Sequence, residues 1–230
     1  MILSVAALAA NAATGPEAIV LGKTSHTPAS GCPATRGCQV VARLTGIQLS
    51  ADGSGHPFLS PVKGRVIAWW LRLPQLRDSQ MKSFSDLFGG APAVRLSILR
   101  RVRHGHFRLV RQSATQTLSD YHGQKLWPFF SLPEPLQINR GDYVGLTAVT
   151  WVPAFAVGLD SAGNSWLASR PKRRCNIPSS TDPKRFAAYY QATDAHAQAG
   201  SVKDYKCLYR TARLLYWALV VPDIAQTRGQ

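Results

Sequence analysis

The sequence predicts an all-β protein, a single antiparallel β-sandwich with a jelly-roll-like pattern, and three observations support this prediction. First, short runs of β-prone residues alternate with Gly, Pro, Asn and Asp turn signals from residue 40 to residue 221. Second, residues 93–112 alternate apolar and polar side chains on either side of Gly105, which is the pattern of a hairpin. Third, helix-like spacing is restricted to residues 81–88 and to an Ala-rich stretch near 186–199. Because no fixed-period repeat is visible, a sandwich is favoured over a propeller or a solenoid.

Two predicted strands are apolar on both faces and should lie in the middle of a sheet. The first covers residues 66–71, between Gly64 and Pro74, and the second covers residues 211–221. Because the second lies near the end of the chain, the C-terminal strand is expected to complete the core. Further strands are predicted at 40–49, 115–118, 124–130, 143–150, 152–159 and 164–168.

The chain is expected to form one domain with an export signal. A short apolar run precedes the small-residue pattern Ala10-Asn11-Ala12, which is typical of a signal peptide, although no Lys or Arg comes before it. The run is too short to cross a bilayer, so we expect a secreted or cell-surface protein without a transmembrane span. Residues 169–206 are expected to form a long, irregular and partly helical loop insertion. The predicted organisation is a signal peptide at 1–12, an irregular leader at 13–38, the β-sandwich domain at 39–222 and a frayed tail at 223–230.

Four cysteines support export, because an even number of cysteines in a secreted chain is typical of disulfides. They occur as two pairs, Cys32/Cys38 and Cys175/Cys207, and each pair flanks a loop-like stretch. Four cysteines allow three pairings, of which Cys32–Cys38 with Cys175–Cys207 is favoured. A zinc site made by all four thiolates is the alternative, but neither pair has the C-x2–4-C spacing of zinc sites.

The chain is strongly basic, since 27 Lys and Arg stand against 12 Asp and Glu and the formal net charge is +15. Such a surface attracts polyanions, although a compositional bias toward Arg would produce the same excess. Alternation along the hairpin predicts that Arg95, Arg101 and Arg103 share its solvent face. A basic face would form if the fold brings the hairpin and the loop insertion together. Its predicted members are Arg95, Arg101, Arg103 and Arg108 on the hairpin, and Arg170, Lys172, Arg173 and Arg174 in the loop.

Five stretches of the chain resemble a family of uncharacterised exported bacterial β-sandwich proteins with a jelly-roll or CUB-like pattern. The resemblance runs from about residue 20 to residue 222. It implies an exported sandwich without an established activity, so it adds nothing about chemistry. The stretches are 37–41 (GCQVV), 84–92 (FSDLFGGAP), 95–101 (RLSILRR), 136–146 (LQINRGDYVGL) and 211–217 (TARLLYW).

No residue pattern indicates catalysis, a metal or a cofactor. The acidic residues lie mostly at predicted turns, whereas a glycosidase needs a facing pair of carboxylates. His104 and His106 could ligate a metal, but they lie at an Arg-rich hairpin tip that disfavours cations. Neither a Gly-x-Ser-x-Gly elbow nor a Walker loop nor a dinucleotide fingerprint occurs in the sequence.

The leading hypothesis is an exported, non-enzymatic binding or surface protein whose basic face contacts an anionic polysaccharide or cell-wall polymer. Nucleic acid is not an expected partner, because the chain is predicted to be exported and offers no helix for a groove. Two alternatives stay open. A neutral carbohydrate-binding module would stack sugars on exposed aromatics, for which Trp127, Trp151 and Trp166 are the candidates. A hydrolase of unrecognised type would need a deep pocket with a histidine or carboxylate pair.

Overall fold

A computed structural model describes residues 17–31, 38–121, 127–177 and 181–224 of the chain. These residues form two packed antiparallel sheets, a small two-stranded sheet and two short helices, which confirms the predicted all-β sandwich. In chain order the strands are β1 (Ile19–Leu21), β2 (Val41–Ala51), β3 (Ser54–Gly55), β4 (Gly64–Leu71), β5 (Ala93–Arg103), β6 (His106–Gln112), β7 (Gln116–Thr117), β8 (Phe129–Ile138), β9 (Tyr143–Val152), β10 (Phe155–Val157), β11 (Ser165–Ala168), β12 (Val202–Asp204), β13 (Cys207–Arg210), β14 (Ala212–Leu214) and β15 (Tyr216–Pro222). The helices are α1 (Asp78–Phe88) and α2 (Pro183–Gln191), and 3-10 turns occur at Ser119–Tyr121 and Lys172–Arg174.

The first sheet, sheet A, has the strand order β1-β15-β4-β8. Its inner strands are β4 and β15, as their apolar side chains on both faces predicted. Tyr216 on β15 connects this sheet to the second one. The Tyr216 ring stacks on Phe58 with the centroids 3.9 Å apart, and its hydroxyl donates to the carbonyl of Val144 at 2.9 Å. The main core lies between the two sheets and includes Trp69 and Ile98.

The second sheet, sheet B, has the order β12-β6-β5-β9-β2-β11-β13 and curls until its two ends meet. The ends are consecutive segments of one stretch, 202–210, because β12 pairs with β6 and β13 pairs with β11. Between them, the amide of Tyr205 donates to the carbonyl of Gly105 at 2.7 Å, and the amide of Lys206 donates to that of Arg170 at 3.0 Å. The curled sheet therefore encloses a second, smaller apolar core.

The two helices pack together on one end of sheet B. The first, α1, is longer than the short helical turn or ordered loop expected around residues 81–88. Its start is fixed by Gln80, whose side-chain oxygen accepts from the amide of Arg77 at 2.9 Å, and it ends at Gly89 with a φ of 84° that suits glycine. Phe88 meets Tyr190 of α2 edge to face, with the centroids 4.8 Å apart. The helix pair forms one wall of a groove.

Three predicted boundaries differ from the structure. The predicted leader contains β1, which pairs with β15 because its apolar residues can pack at the edge of sheet A. The strand expected at 211–221 is divided into β14 and β15 at Leu215, whose amide donates to the carbonyl of Ala154. In place of the strand expected at 124–130, the structure has β8, which runs from Phe129 to Ile138, and residues 122–126 lie outside the described part.

Within the described residues, no helix is long and apolar enough to cross a membrane. The predicted signal peptide at 1–12 and the end of the predicted tail, 225–230, lie outside the described residues. Asp223, at the start of that tail, donates its amide to the carbonyl of Lys63 at 3.1 Å, and its carboxylate lies 3.7 Å from the Lys63 ammonium. The first residue of the predicted tail is therefore attached to the domain.

Candidate ligand-binding groove

An aromatic groove lies between the helix pair and the strands β2, β10 and β13, and its volume is about 840 Å³. Arg170 and Arg210 are the charged residues among its described lining. A mostly apolar pocket of this size with a few polar groups is typical of small-molecule sites. Seven aromatic side chains define the described lining: Phe84, Phe88, Phe155, Trp166, Phe186, Tyr190 and Tyr209.

Arg170 is the buried cation of this groove, with only 2% of its surface exposed. Its guanidinium lies over the rings of Tyr189 and Tyr190, 5.1 and 5.5 Å from their centroids, and donates to the carbonyl of Ala42 at 3.2 Å. The Nε of Arg170 is buried without a hydrogen-bond partner, and no described carboxylate lies within 4.0 Å of the guanidinium. Arg170 is thus a buried charge without a counterion among the described residues. Its predicted place on an exposed basic face was wrong, because the tyrosines of α2 cover it.

A disulfide fixes the segment that carries Arg170. Cys175 and Cys207 are bonded, as predicted, with their Cα atoms 4.9 Å apart. Cys207 is the first residue of β13, and its sulfur lies 3.8 Å from the carbonyl oxygen of Arg170. The bond therefore ties the loop insertion to sheet B beside the groove. Of the other predicted pair, Cys38 lines the groove, whereas Cys32 lies outside the described residues.

The tyrosines above Arg170 remain neutral at physiological pH. Burial raises the pKa of Tyr190 to about 12, although the nearby positive charge of Arg170 opposes this shift. Burial also raises the pKa of Tyr189, again against the charge of Arg170. Aromatic rings, neutral phenols and one buried cation together suit an anionic group attached to an apolar body. Among the described lining residues, no carboxylate or histidine is available for acid–base chemistry.

The predicted cations of the arginine hairpin, which is formed by β5 and β6, lie outside this groove. Arg101 donates to the hydroxyl of Tyr143 at 3.0 Å and lies over its ring. Arg103 and Arg108 are exposed and form no ion pair with a described residue. These two are therefore available to solvent and to a large anionic partner.

The exposed cations of the loop follow Arg170, whose carbonyl is bound by the same segment, 205–206, that contacts the hairpin turn. Residues 205–206 bind that turn and the loop after β11 through the two backbone hydrogen bonds that close sheet B. Lys172 and Arg173 lie two and three residues after Arg170, whose carbonyl accepts from Lys206, and both side chains are exposed. Arg174 is half-buried and donates to the carbonyl of Ala192 at 2.6 Å. Residues 205–206 thus connect the hairpin turn to the segment that precedes Lys172 and Arg173.

Arg95 was expected on the solvent face of the hairpin, and this expectation was wrong. The side chain is on the inner side of the curled sheet, where the segment 194–203 covers part of the surface. It is therefore half-buried, and this burial lowers its pKa. Arg95 lines a second groove, of about 590 Å³, together with Arg43 and Lys203.

The three candidate tryptophans lie in different parts of the molecule. Trp127 is 50% exposed, and its ring centroid lies 5.1 Å from that of Trp217. Trp217 belongs to a row of near-parallel rings that crosses sheet A and ends at Phe129. Trp151 is fully buried and Trp166 forms a wall of the aromatic groove, so neither is an exposed stacking surface. Their expected exposure was wrong, because both occur on strands whose outer faces are covered.

One histidine of the hairpin turn lies beside a carboxylate. His106 places its Nδ1 2.9 Å from the carboxylate of Asp204. Among the described residues, no group of three or more potential ligands could hold a metal ion. This pairing leaves no signal in the sequence, since Asp204 is remote from His106 along the chain.

A buried histidine was missed from the sequence. His196 lies inside the curled sheet, with Nδ1 3.1 Å from the hydroxyl of Tyr205 and Nε2 3.0 Å from that of Ser201. Burial lowers its pKa to about 4, so the imidazole is neutral at physiological pH. The Ser201 hydroxyl donates to the carbonyl of Gln198, and no described carboxylate lies within 4.0 Å of the imidazole nitrogens. The hydrogen bonds of His196 therefore hold the segment 194–203 against the inner side of sheet B. A lone histidine gives no sequence signal, because its partners meet only on folding.

No protein family, curated protein or solved structure matches the chain. The fold and the groove define an antiparallel β-sandwich with an aromatic cleft large enough for a small organic molecule.

Proposed function

We propose that the protein is a non-enzymatic binding protein that holds an organic anion with an apolar body in the aromatic groove. One observation supports this proposal above the others. Arg170 is a buried guanidinium without a described counterion in a groove whose other lining residues are mainly apolar and aromatic. The anionic group of the ligand pairs with Arg170, and the apolar body packs between the helix pair and Trp166.

Burying the charge of the Arg170 guanidinium has an energetic cost. A cation removed from water without a paired anion is costly, and hydrogen bonds or aromatic faces recover only part of that cost. The carbonyl of Ala42 and the rings of Tyr189 and Tyr190 give Arg170 this partial compensation. A carboxylate, sulfonate or phosphate would supply the remaining partner for the unbonded Nε, through the two-pronged geometry that arginine favours.

We infer that this binding takes place outside the cytosol. The Cys175–Cys207 disulfide supports the inference, because such bonds persist mainly in oxidising compartments. The chain remains, by this proposal, an exported protein that carries or captures its ligand and does not transform it.

The test uses the fluorescent probe 8-anilinonaphthalene-1-sulfonate, an aromatic anion of suitable size, with the folded full-length protein. Dodecanoate and dodecan-1-ol are then compared as competitors, since they differ mainly in the charged group. We expect dodecanoate to displace the probe at least ~10-fold better, because a charge-assisted bond contributes ~1.5–3 kcal/mol. Equal competition by the neutral alcohol would contradict the proposal.

Two variants locate the effect. Arg170→Gln should remove the preference for dodecanoate, whereas Arg173→Gln, an exposed arginine of the neighbouring turn outside the groove, should keep it. Near-ultraviolet circular dichroism shows whether each variant is folded. An unchanged preference in folded Arg170→Gln would place the bound anion elsewhere.

A second function, contact with an anionic wall polymer or polysaccharide, is favoured by a different observation. Residues 205–206 connect the hairpin turn to the loop that carries Lys172 and Arg173, so exposed cations occur on both sides of these two residues. Retention on immobilised heparin should then fall steeply as salt concentration rises. Retention that does not depend on ionic strength would exclude this electrostatic contact.

A further inference from the structure

A second cation, Arg95, has no ion-pair partner in the described part of the chain, and it lies far along the chain from Arg170. Arg95 projects from β5 into the groove of about 590 Å³ on the inner side of sheet B. Its Nε is buried without a hydrogen bond, and no described carboxylate lies within 4.0 Å of its guanidinium. Packing alone does not account for an arginine here, because a half-buried charge without a partner is unfavourable.

The other charged residues of this groove are already engaged, and their arrangement leaves the site positive. Arg43 donates to the carbonyl of Thr193 at 3.0 Å and to the carboxylate of Asp194 at 3.1 Å. That carboxylate is largely exposed at the margin of the groove and is already paired with Arg43. The groove therefore keeps the charges of Arg95 and Lys203 without a matching anion.

Lys203 is held in place by the covering segment. Its ammonium donates to the carbonyls of Asp194 and Ala195 at 2.9 and 3.1 Å, which uses two of its three hydrogens. Burial lowers its pKa, while the charge of Asp194 opposes that shift. One hydrogen of a fixed ammonium thus remains for a ligand in the groove that Arg95 also lines.

We propose that this second groove is a binding site for a tetrahedral oxyanion, a phosphate or sulfate group bound by the guanidinium of Arg95, with the ammonium of Lys203 as a second cation lining the same groove. A guanidinium matches two oxygens of such a group, and an ammonium adds a third contact as a point charge. The site is distinct from the aromatic groove, because Arg95 and Arg170 line different cavities. The groove is large enough for a phosphate or sulfate group carried on a larger molecule as well as for the free ion.

The direct test is titration of the wild-type protein with inorganic phosphate, inorganic sulfate and phenyl phosphate, at constant ionic strength maintained with chloride. Calorimetry gives the affinity, and the nitrogen-edited NMR signal of the Arg95 Nε–H reports contact with the anion. We expect phosphate and sulfate to bind and to shift this signal, with chloride having no effect. Tighter binding of phenyl phosphate would indicate an esterified group as the natural ligand, and tighter binding of inorganic phosphate would indicate the free ion.

The matched variants are Arg95→Gln and Arg103→Gln, which remove one charge each from the same strand. The first should weaken phosphate binding at least ~10-fold, and the second should leave it within about twofold, because Arg103 does not line the groove. Arg95→Lys, which keeps the charge and loses the two-pronged geometry, should give an intermediate affinity. The proposal is overturned if the wild type does not bind either anion, if the Arg95 signal does not move, or if both glutamine variants lose affinity equally. Binding of 8-anilinonaphthalene-1-sulfonate should stay unchanged in all three variants, which separates this site from the aromatic groove.

Discussion

The aromatic groove and the arginine hairpin are both basic regions, yet they place their charges in opposite surroundings. Arg170 is covered by tyrosines and lacks a described anion. In the hairpin, Arg100 is bonded to Asp142 at 2.7 and 2.9 Å, while Arg103 and Arg108 are exposed to water. Exposed charges separated by more than ~8 Å are largely screened at physiological salt, whereas buried charges are screened much less. The comparison teaches that burial and the lack of a counterion, more than the number of arginines, mark a small-molecule site.

Removing the Cys175–Cys207 disulfide should give the largest effect on stability and on ligand binding in the aromatic groove. Replacing both Cys175 and Cys207 with Ser should lower the free energy of unfolding by ~3–4 kcal/mol, because the bond closes a long loop of 32 residues in sequence separation. The same variant should lose most binding of 8-anilinonaphthalene-1-sulfonate, since Arg170 lies in the segment that the bond fixes. Urea unfolding measures the first effect and fluorescence titration the second. Stability and probe binding equal to those of the wild type would show that the groove does not depend on this bond.

Acid should destabilise the protein through His196, which is buried inside the curled sheet and away from the aromatic groove. The pKa of His196 is lowered by burial to about 4 from an ordinary value of 6.5, so the unfolded chain binds its proton more readily than the folded one. The stabilisation from neutral His196 is thus fully present above pH 6.5 and is lost as the pH falls toward 4. Urea midpoints measured across this range should fall more steeply in the wild type than in His196→Asn. If the urea midpoints of the two proteins fall in parallel with pH, protonation of His196 is not the cause of the lost stability.

The exposed cations of the hairpin should affect heparin retention without affecting the groove. The double variant Arg103→Gln, Arg108→Gln should reduce the dependence of log affinity on log salt by roughly 0.9 per lost ionic contact, by analogy with counterion release from polyanions. Stability should change by less than ~0.5 kcal/mol, because both side chains lie on the surface. Affinity chromatography at several salt concentrations gives the slope. A change in the binding of 8-anilinonaphthalene-1-sulfonate in this variant would mean that the two regions are coupled.

A single exposed position at the groove should give the smallest effect. Ile177 lines the groove and is 43% exposed, so charged residues can be introduced there without disturbing the core. Ile177→Asp should weaken binding of dodecanoate and Ile177→Lys should strengthen it, each by up to about fivefold, because partly exposed pairs contribute ~0.2–1 kcal/mol. Competition titration separates the two variants, which add one unit charge of opposite sign at the same position. Equal effects on dodecan-1-ol would show that the cause is steric.

The sequence predicted the fold better than the site, and particular residues show why. Apolar side chains on both faces of 66–71, and of the part of 211–221 that forms β15, correctly indicated strands in the middle of a sheet, since such a pattern needs burial on two sides. The pairing of Cys175 with Cys207 followed from the loop between them. These features depend on local pattern or on chain connectivity, which the sequence contains.

The errors about Arg95 and Arg170 have a common physical origin. Alternation gives the side of a strand on which a residue lies, but it does not tell whether another segment covers that side. Arg95 is covered by the segment 194–203, and Arg170 by tyrosines that occur nearly twenty positions later. His196 was missed for the same reason, since it is recognised by partners brought together only in the folded chain.

The closure of sheet B has a consequence for aggregation. Because the stretch 202–210 occupies both borders of that sheet, the described part of sheet B does not end in a long row of unpaired amides that could recruit a neighbouring chain. Sheet A keeps two rims, the three-residue β1 and β8, and β8 carries Pro133 and Pro135, which cannot extend a ladder by donation. Proteolytic cleavage between Tyr205 and Lys206 would release both borders at once, and Tyr205 is fully buried. A protease can therefore reach the peptide bond between Tyr205 and Lys206 only after local unfolding of this segment.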